Sequence, residues 1–192
     1  MIMLNIRDAT IEDLDEVALL HSIAIPYSIN SAMGVNRLRE LYLFTLQDED
    51  SLLLIATEDN KVIGFISGTS KFGNLAQDAK RNVSMVQMIN VLRRMNLFVL
   101  TIAALNLILL TRAFRKFGNF YYFSTWGMLP NSHPAAGSAL FRELEKRVRV
   151  YGSQSVIVNV DKNNSKVLRM YQSLGFRVIK RTISELILKK SY

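Results

Sequence analysis

Residues 164–176, Asn-Ser-Lys-Val-Leu-Arg-Met-Tyr-Gln-Ser-Leu-Gly-Phe, put one phenol on what reads as the apolar face of a short helix. Asn163, Asn164 and Ser165 are capping residue types, Val167, Leu168, Tyr171 and Leu174 recur at helical spacing, and Gly175 suits a left-handed stop. A tyrosine in such a stripe has two readings. One is packing, the commoner role of an aromatic ring on an apolar face. The other uses the hydroxyl, a weak acid that stays protonated at neutral pH and can give up a proton inside a site closed from water. The remaining composition narrows the chemistry. Cysteine is absent, which removes disulfides, thiol nucleophiles and cysteine-ligated zinc, and two histidines, His21 and His133, are too few for a histidine-based metal site. Metal-free chemistry is expected.

The elements that would position Tyr171 are legible from periodicity. The chain has 192 residues, 49% hydrophobic and 21% charged, enough for one substantial core, so a single domain over 1–192 is expected. Leu4–Arg7 reads as a strand, and Thr10 with an acidic first turn opens a helix through Leu14, Val17, Leu20 and His21 that ends at Pro26. After a loop to Gly34, Leu38, Leu41, Tyr42 and Leu46 mark a second helix. Leu52–Ala56 and Val62–Ser67 are strands joined by Glu58-Asp59-Asn60-Lys61, the turn chemistry of a hairpin. Phe120–Leu129 favours a strand, Ser138–Val150 a helix and Ser155–Val160 a buried strand. The Tyr171 helix follows, then strands at Arg177–Arg181 and Glu185–Leu188. The fold class is mixed α/β (α+β), with a mixed, mostly antiparallel central sheet flanked by helices.

That order, together with Asn164, Tyr171, Leu174, Gly175 and Phe176 in register with an N-x-x-A-x-x-x-Y and LGF pattern, resembles the GNAT superfamily of N-acyltransferases. Only the small residue departs, being Val167. The resemblance implies direct acyl transfer from acetyl-CoA or another acyl-CoA to an amine. It implies that Tyr171 protonates the departing thiolate, that Asn164 bonds the pantetheine arm or holds the local backbone, and that Met128 offers backbone groups to pantetheine. The family's pyrophosphate loop, R/Q-x-x-G-x-G/A, falls on Pro130–Leu140. With Gly137 set at its last glycine, Ala135 stands at the first glycine and Ser132 at the Arg/Gln position, so the amides of Ala135, Ala136, Gly137 and Ser138 are those expected at the pyrophosphate. No carboxylate lies in Phe120–Leu129 to act as a base. The proton of an amine acceptor would go to water, to His21 or His133, or along backbone carbonyls. Tyr27, Tyr122 and Ser124 are candidates for the acceptor side.

Between the third and fourth strands stands an insert, residues 71–119. Its length far exceeds the usual connection of about 4–6 residues, so it is expected to fold, as helix, with Val83, Met85, Val86, Met88, Ile89, Val91 and Leu92 leading into an apolar tract. Eight basic residues there face the single acid Asp78, a balance of +7 beside +8 for the whole chain. Met95–Thr111 is uncharged, but Asn96, Thr101, Asn106 and Thr111 distribute polar groups around the helix and argue against a membrane span. Burial against the sheet or a second copy of the chain is the first reading, and a membrane-surface helix or a lid over the pocket stay open. Among anionic partners a small phosphorylated acceptor ranks first, and nucleic acid is disfavoured because the bases flank an apolar tract. The amino terminus resembles no secretory signal, so a cytoplasmic site of action is expected. The alternative to an enzyme is a non-catalytic or weakly active binding module of the same fold, associated with a membrane surface through the insert.

Overall fold

A computed structural model describes residues 4–72, 91, 93, 97–114, 119–133 and 135–192. Seven strands form one sheet in the order β1-β2-β3-β4-β5-β7-β6. They are β1 (Leu4–Asp8), β2 (Ser51–Glu58), β3 (Lys61–Thr69), β4 (Tyr121–Met128), β5 (Ser155–Asp161), β6 (Arg177–Arg181) and β7 (Glu185–Ser191). Every neighbouring pair is antiparallel except β4 with β5. The β2–β3 hairpin turns on Asp59 and Asn60, at φ 48° and 66°, the left-handed pair that a two-residue loop matching strand twist requires.

Alternation along the strands sends Leu52, Leu54 and Ala56, with Val156, Val158 and Val160, to one face, where α5 (Ala136–Val150) and α6 (Ser165–Ser173) cover them. Leu53, Ile55, Val62 and Phe65 point the other way, beneath α1 (Leu14–Ala24) and α3 (Val35–Gln47). The insert contributes α4 (Leu97–Phe114), and this helix fills the rest of that second face. Its Leu110 and Phe114 close, with Phe72, over Phe120, Tyr122, Ile157 and Ile187. Asn106 is buried and donates to the Ser184 hydroxyl, while Leu105 and Ile108 face outward. The expected packing of the insert against the sheet is therefore found for α4. The helical reading of the stretch from Val83 to Leu92 falls, apart from Val91, on residues outside those described. No helix among the described residues is long and apolar enough to cross a membrane.

Two elements differ from the sequence expectation. The segment read as loop before Gly34 contains a short helix, α2 (Ile29–Met33), because the Ser28 hydroxyl accepts the Ser31 N–H at 3.0 Å and caps it. Strand β7 runs on to Ser191, pairing Lys189 and Lys190 with Ile157 and Val156. Polar residues there carry no apolar period, so the pairing was invisible to it.

The feature that makes a site is a defect in the sheet. Ser67 pairs with Thr125 and Gly68 with Phe123, leaving Ser124 as an extra residue in β4. Such a bulge sharpens the local twist and bends its strand. β4 then meets β5 only at Tyr121–Val156 and Tyr122–Ile157. Beyond them the two strands part.

Candidate active site

The parting leaves a cleft of about 380 Å³ between Phe123–Trp126 and Val158–Asp161. Asn164, Val167 and Tyr171 of the α6 segment close it on one side, and His21, Ser28 and Asn30 of the α1–α2 corner on the other. Among the described residues no cluster of His, Asp or Glu could hold a metal ion.

Tyr171 is 5% exposed and sits in an aromatic cage, edge-on to Phe123, Trp126 and Phe176 with centroids 5.8, 6.1 and 5.2 Å away. The Leu-Gly-Phe ending explains how the ring is held. Gly175, at φ 92°, turns the chain so that its N–H bonds the Gln172 carbonyl and the Phe176 N–H bonds the Tyr171 carbonyl, both at 3.0 Å. This is the doubly bonded glycine stop of a helix, and its customary apolar contact is here Phe176 on Tyr171. At the other end the Asn164 carboxamide oxygen accepts the Val167 N–H at 3.1 Å. Among the described residues no hydrogen bond engages the Tyr171 hydroxyl, and burial pushes its pKa well above that of a free phenol. The group is a firmly held proton facing a cleft.

The opposite wall is polar. His21 is 2% exposed, stacked near Phe65 with centroids 5.9 Å apart, and bonded through Nδ1 to the Tyr42 hydroxyl at 2.5 Å and through Nε2 to the Ser28 hydroxyl at 3.2 Å. Burial lowers its pKa to about 4, so the imidazole is neutral at pH 7. Burial raises the pKa of Tyr42, and Thr125 lies on the cleft floor. Ser124, the bulge residue, bonds Ser67 at 2.8 Å. Asn159 donates to Glu185 at 2.8 Å and accepts from Tyr122 beneath α4, and burial raises the Glu185 carboxyl.

Of the residues singled out from sequence, Tyr171, Asn164, His21 and Ser124 come together at this cleft. Met128, Ala135, Ala136, Gly137 and Ser138 lie beyond its lining, where β4 ends and α5 begins. Two of those amides already have partners: Ala135 N–H donates to His133 Nδ1 at 3.2 Å and Ala136 N–H to the His133 carbonyl at 2.9 Å. Gly137 has a packing reason of its own, since a Cβ there would stand 3.2 Å from the Trp126 ring. Tyr27 is 91% exposed and Tyr122 is buried under α4, so neither lines the cleft. Sequence reasoning missed Thr125, Trp126 and Tyr42. Tyr42 reads from sequence as one more member of a helical stripe, and nothing in the spacing signals its hydrogen bond to His21.

No protein-family model matches the chain. No curated protein sequence matches it either. Solved structures do. The PaiA N-acetyltransferase of Thermoplasma acidophilum in complex with coenzyme A superposes with a TM-score of 0.66 at 19% identity, covering 99% of each chain. A ribosomal-protein-alanine N-acetyltransferase from Brucella melitensis gives 0.61 at 15%, covering 98% of this chain and 99% of that one. An aminoglycoside N-acetyltransferase in complex with coenzyme A gives 0.64 at 14%, covering 95% and 93%. The chain has the fold of the GNAT N-acetyltransferases.

Proposed function

We propose that the protein is an acyl-CoA-dependent N-acyltransferase, moving an acetyl or other acyl group from the thioester to an amine by direct transfer. The observation that carries this reading is Tyr171, a caged and protonated phenol on the wall of a cleft opened between two parallel strands. Two solved structures of this fold are complexes with coenzyme A. Beyond Tyr122 the β4 edge has lost its β5 partner, so its backbone, Met128 included, is open to pair with the amides of a pantetheine arm. Among the described residues the buried indole N–H of Trp126 has no hydrogen-bond partner. The N-terminus of α5, with the Gly137 and Ser138 amides in its first turn, has the polarity to receive the pyrophosphate. Asn164 serves by fixing the start of α6. The acceptor is a small amine approaching past the α1–α2 corner, and the basic insert favours a phosphorylated one.

In the reaction the neutral amine nitrogen bonds the thioester carbon and gives up one proton to solvent, the C–S bond breaks, the sulfur leaves with the electron pair and takes the Tyr171 proton, and solvent returns a proton to the phenolate. Beside the buried Tyr171 ring that transfer neutralises charge as it develops on sulfur. Calorimetry with coenzyme A and acetyl-CoA tests the reading. Binding is expected, and ligand at 100 times its dissociation constant should add about 2.7 kcal/mol of stability, roughly 5–10 °C in melting temperature for a chain of this length. Neither heat nor a melting shift at millimolar coenzyme A would overturn it, leaving a binding module that has lost the donor.

A further inference from the structure

We propose that the outward side of α4, together with the β6–β7 turn, docks the protein on an anionic lipid bilayer. The proposal stands apart from the acyl-transfer reading. It rests on strand register and one buried hydrogen bond, which gather apolar and basic side chains on a single face.

Pairing decides which bases share that face. Ile187 is buried beneath α4 with Leu110 and Phe114, so the β7 residue two places on and the residues paired opposite look the same way. Lys180 pairs with Ile187 and Arg177 with Lys189, which sets three cations on the α4 side of the sheet. The register slips between Val178 and Lys180, leaving Ile179 as an extra residue of this edge strand. Asn106 of α4 donates to the Ser184 hydroxyl, which fixes the helix against the β6–β7 turn and its Ile183. Lys162 closes the same corner: its backbone N–H donates to the Ser184 carbonyl at 2.9 Å and its ammonium to the Ile183 carbonyl at 2.6 Å. On α4 itself Leu105, Ile108 and Arg112 recur at i, i+3 and i+7 and form one exposed stripe.

The apolar members, Leu105, Ile108, Ile179 and Ile183, are each between 41% and 50% exposed. Among the described residues none of Arg112, Arg177, Lys180 and Lys189 pairs with an acid. The acids beside the turn are Asp161 and Glu185, and Glu185 is turned inward onto Asn159 at 2.8 Å. Charge opposes a second copy as the occupant, since a two-fold contact would set this basic face against itself. A nucleic acid would satisfy the cations and leave four aliphatic side chains with nothing apolar to meet. An anionic bilayer answers both, with phosphates for the bases and the acyl boundary for the leucine and isoleucines. The cleft widens towards this end, where Asp161 pairs with Glu185, so docking brings its mouth to the headgroups.

Flotation of the full chain with vesicles of phosphatidylcholine, alone or mixed with phosphatidylglycerol, tests the proposal. Binding is expected to the mixed vesicles and not to the neutral ones, and it should weaken tenfold or more at about 1 M salt, where the screening length falls to about 3 Å. Arg177→Gln, Lys180→Gln and Lys189→Gln together should weaken it about a hundredfold, and Leu105→Gln with Ile108→Gln about tenfold. Arg142→Gln removes an exposed base from α5, on the other face of the sheet, and should change binding by less than about twofold. Melting temperatures of the variants should stay close to the parent's, because none of these side chains is buried. The chain has no cysteine, so a polarity-sensitive dye on Leu105→Cys reads insertion directly. Its emission should shift to the blue on mixed vesicles, and that of a dye on Arg142→Cys should not. A parent that fails to float with mixed vesicles at low salt, floats equally with neutral ones, or keeps its binding in the triple variant would overturn the proposal, as would an unshifted dye at position 105. Retention of duplex DNA without vesicle binding would give the face to nucleic acid instead. None of these outcomes bears on coenzyme A binding or thiol release, which test the acyl-transfer reading separately.

Discussion

The two walls of the cleft are built on opposite principles. The α6 wall is aromatic: Phe123, Trp126 and Phe176 pack edges against Tyr171, whose hydroxyl has no polar neighbour bonded to it among the described residues. The α1 wall is wired: His21, Tyr42, Ser28 and Ser31 satisfy one another in sequence. Both are buried, yet burial acts on them in opposite senses. It holds the phenol in its neutral, proton-bearing form and the imidazole in its neutral, proton-free form. Low dielectric by itself thus keeps a proton on the phenol and off one nitrogen of the imidazole, with both groups neutral.

The sharpest way to break that contrast is Tyr171→Phe. It removes the proton and nothing else, so turnover should fall by about 10²-fold or more while coenzyme A affinity and melting temperature stay close to the parent's. Unchanged turnover would return Tyr171 to packing.

A second effect belongs to the α1 wall and reads out as stability. Folding depresses His21 from its ordinary value near 6.5 to about 4, so the unfolded chain takes up the proton first. Stability should therefore be full above pH 6.5 and fall as pH drops from 6.5 towards 4, by up to about 3 kcal/mol. Asp13, whose pKa the Arg7 guanidinium holds down, loses its contribution at lower pH, below the range in which the histidine acts. Denaturant titrations at pH 7 and 4.5 measure the slope, and His21→Gln should flatten it. An equal slope in the variant would mean that His21 is solvated in the folded state.

Smaller effects separate the supports of the α6 wall. Gly175→Ala forces a side chain into the left-handed region and should cost about 1–2 kcal/mol. Asn164→Ala removes the cap of α6 and should cost about 1 kcal/mol by thermal or urea unfolding. If the asparagine instead matters only to donor binding, stability will hold and coenzyme A affinity will drop. Least of all, Tyr27→Ala should change stability by less than about 0.5 kcal/mol, because the ring is 91% exposed.

Most of the fold could be read in the sequence because its elements carry strong periods. The Asp59-Asn60 turn, the α1 stripe ending at Pro26 and the Leu-Gly-Phe stop each combine a local residue preference with an apolar pattern. Tyr171 and Asn164 were found for the same reason. The cleft itself was not legible. It depends on which residue of β4 is left unpaired, a matter of register between strands more than 50 positions apart, and Ser124 has nothing in its neighbourhood to mark it. The hydrogen bonds at His21 join α1, α3 and the α1–α2 corner through side chains that read separately as stripe or loop. Charge was only partly read. Residues 162–192 hold eight basic residues against the single acid Glu185, as lopsided as the insert, and residues 1–70 offset this with four basic against eleven acidic. The helical period of α6 drew attention to its apolar side, away from exposed Lys166 and Arg169.

The two-rung junction between β4 and β5 also governs how the molecule comes apart. Strands β1 to β4 and strands β5 to β7 are each laced by antiparallel ladders along most of their length, while the backbone seam between them is held at Tyr121–Val156 and Tyr122–Ile157. What keeps the plates together is chiefly the helices and the aromatic contacts laid across the seam, such as Phe123 on Tyr171. Cooperative units in a native protein follow such lines of dense and sparse connection. Amide exchange should therefore divide the sheet at the cleft, with the β2–β3 amides protected as one block and the β5–β7 amides as another. A donor seated in the seam would stitch the blocks together and slow exchange in both.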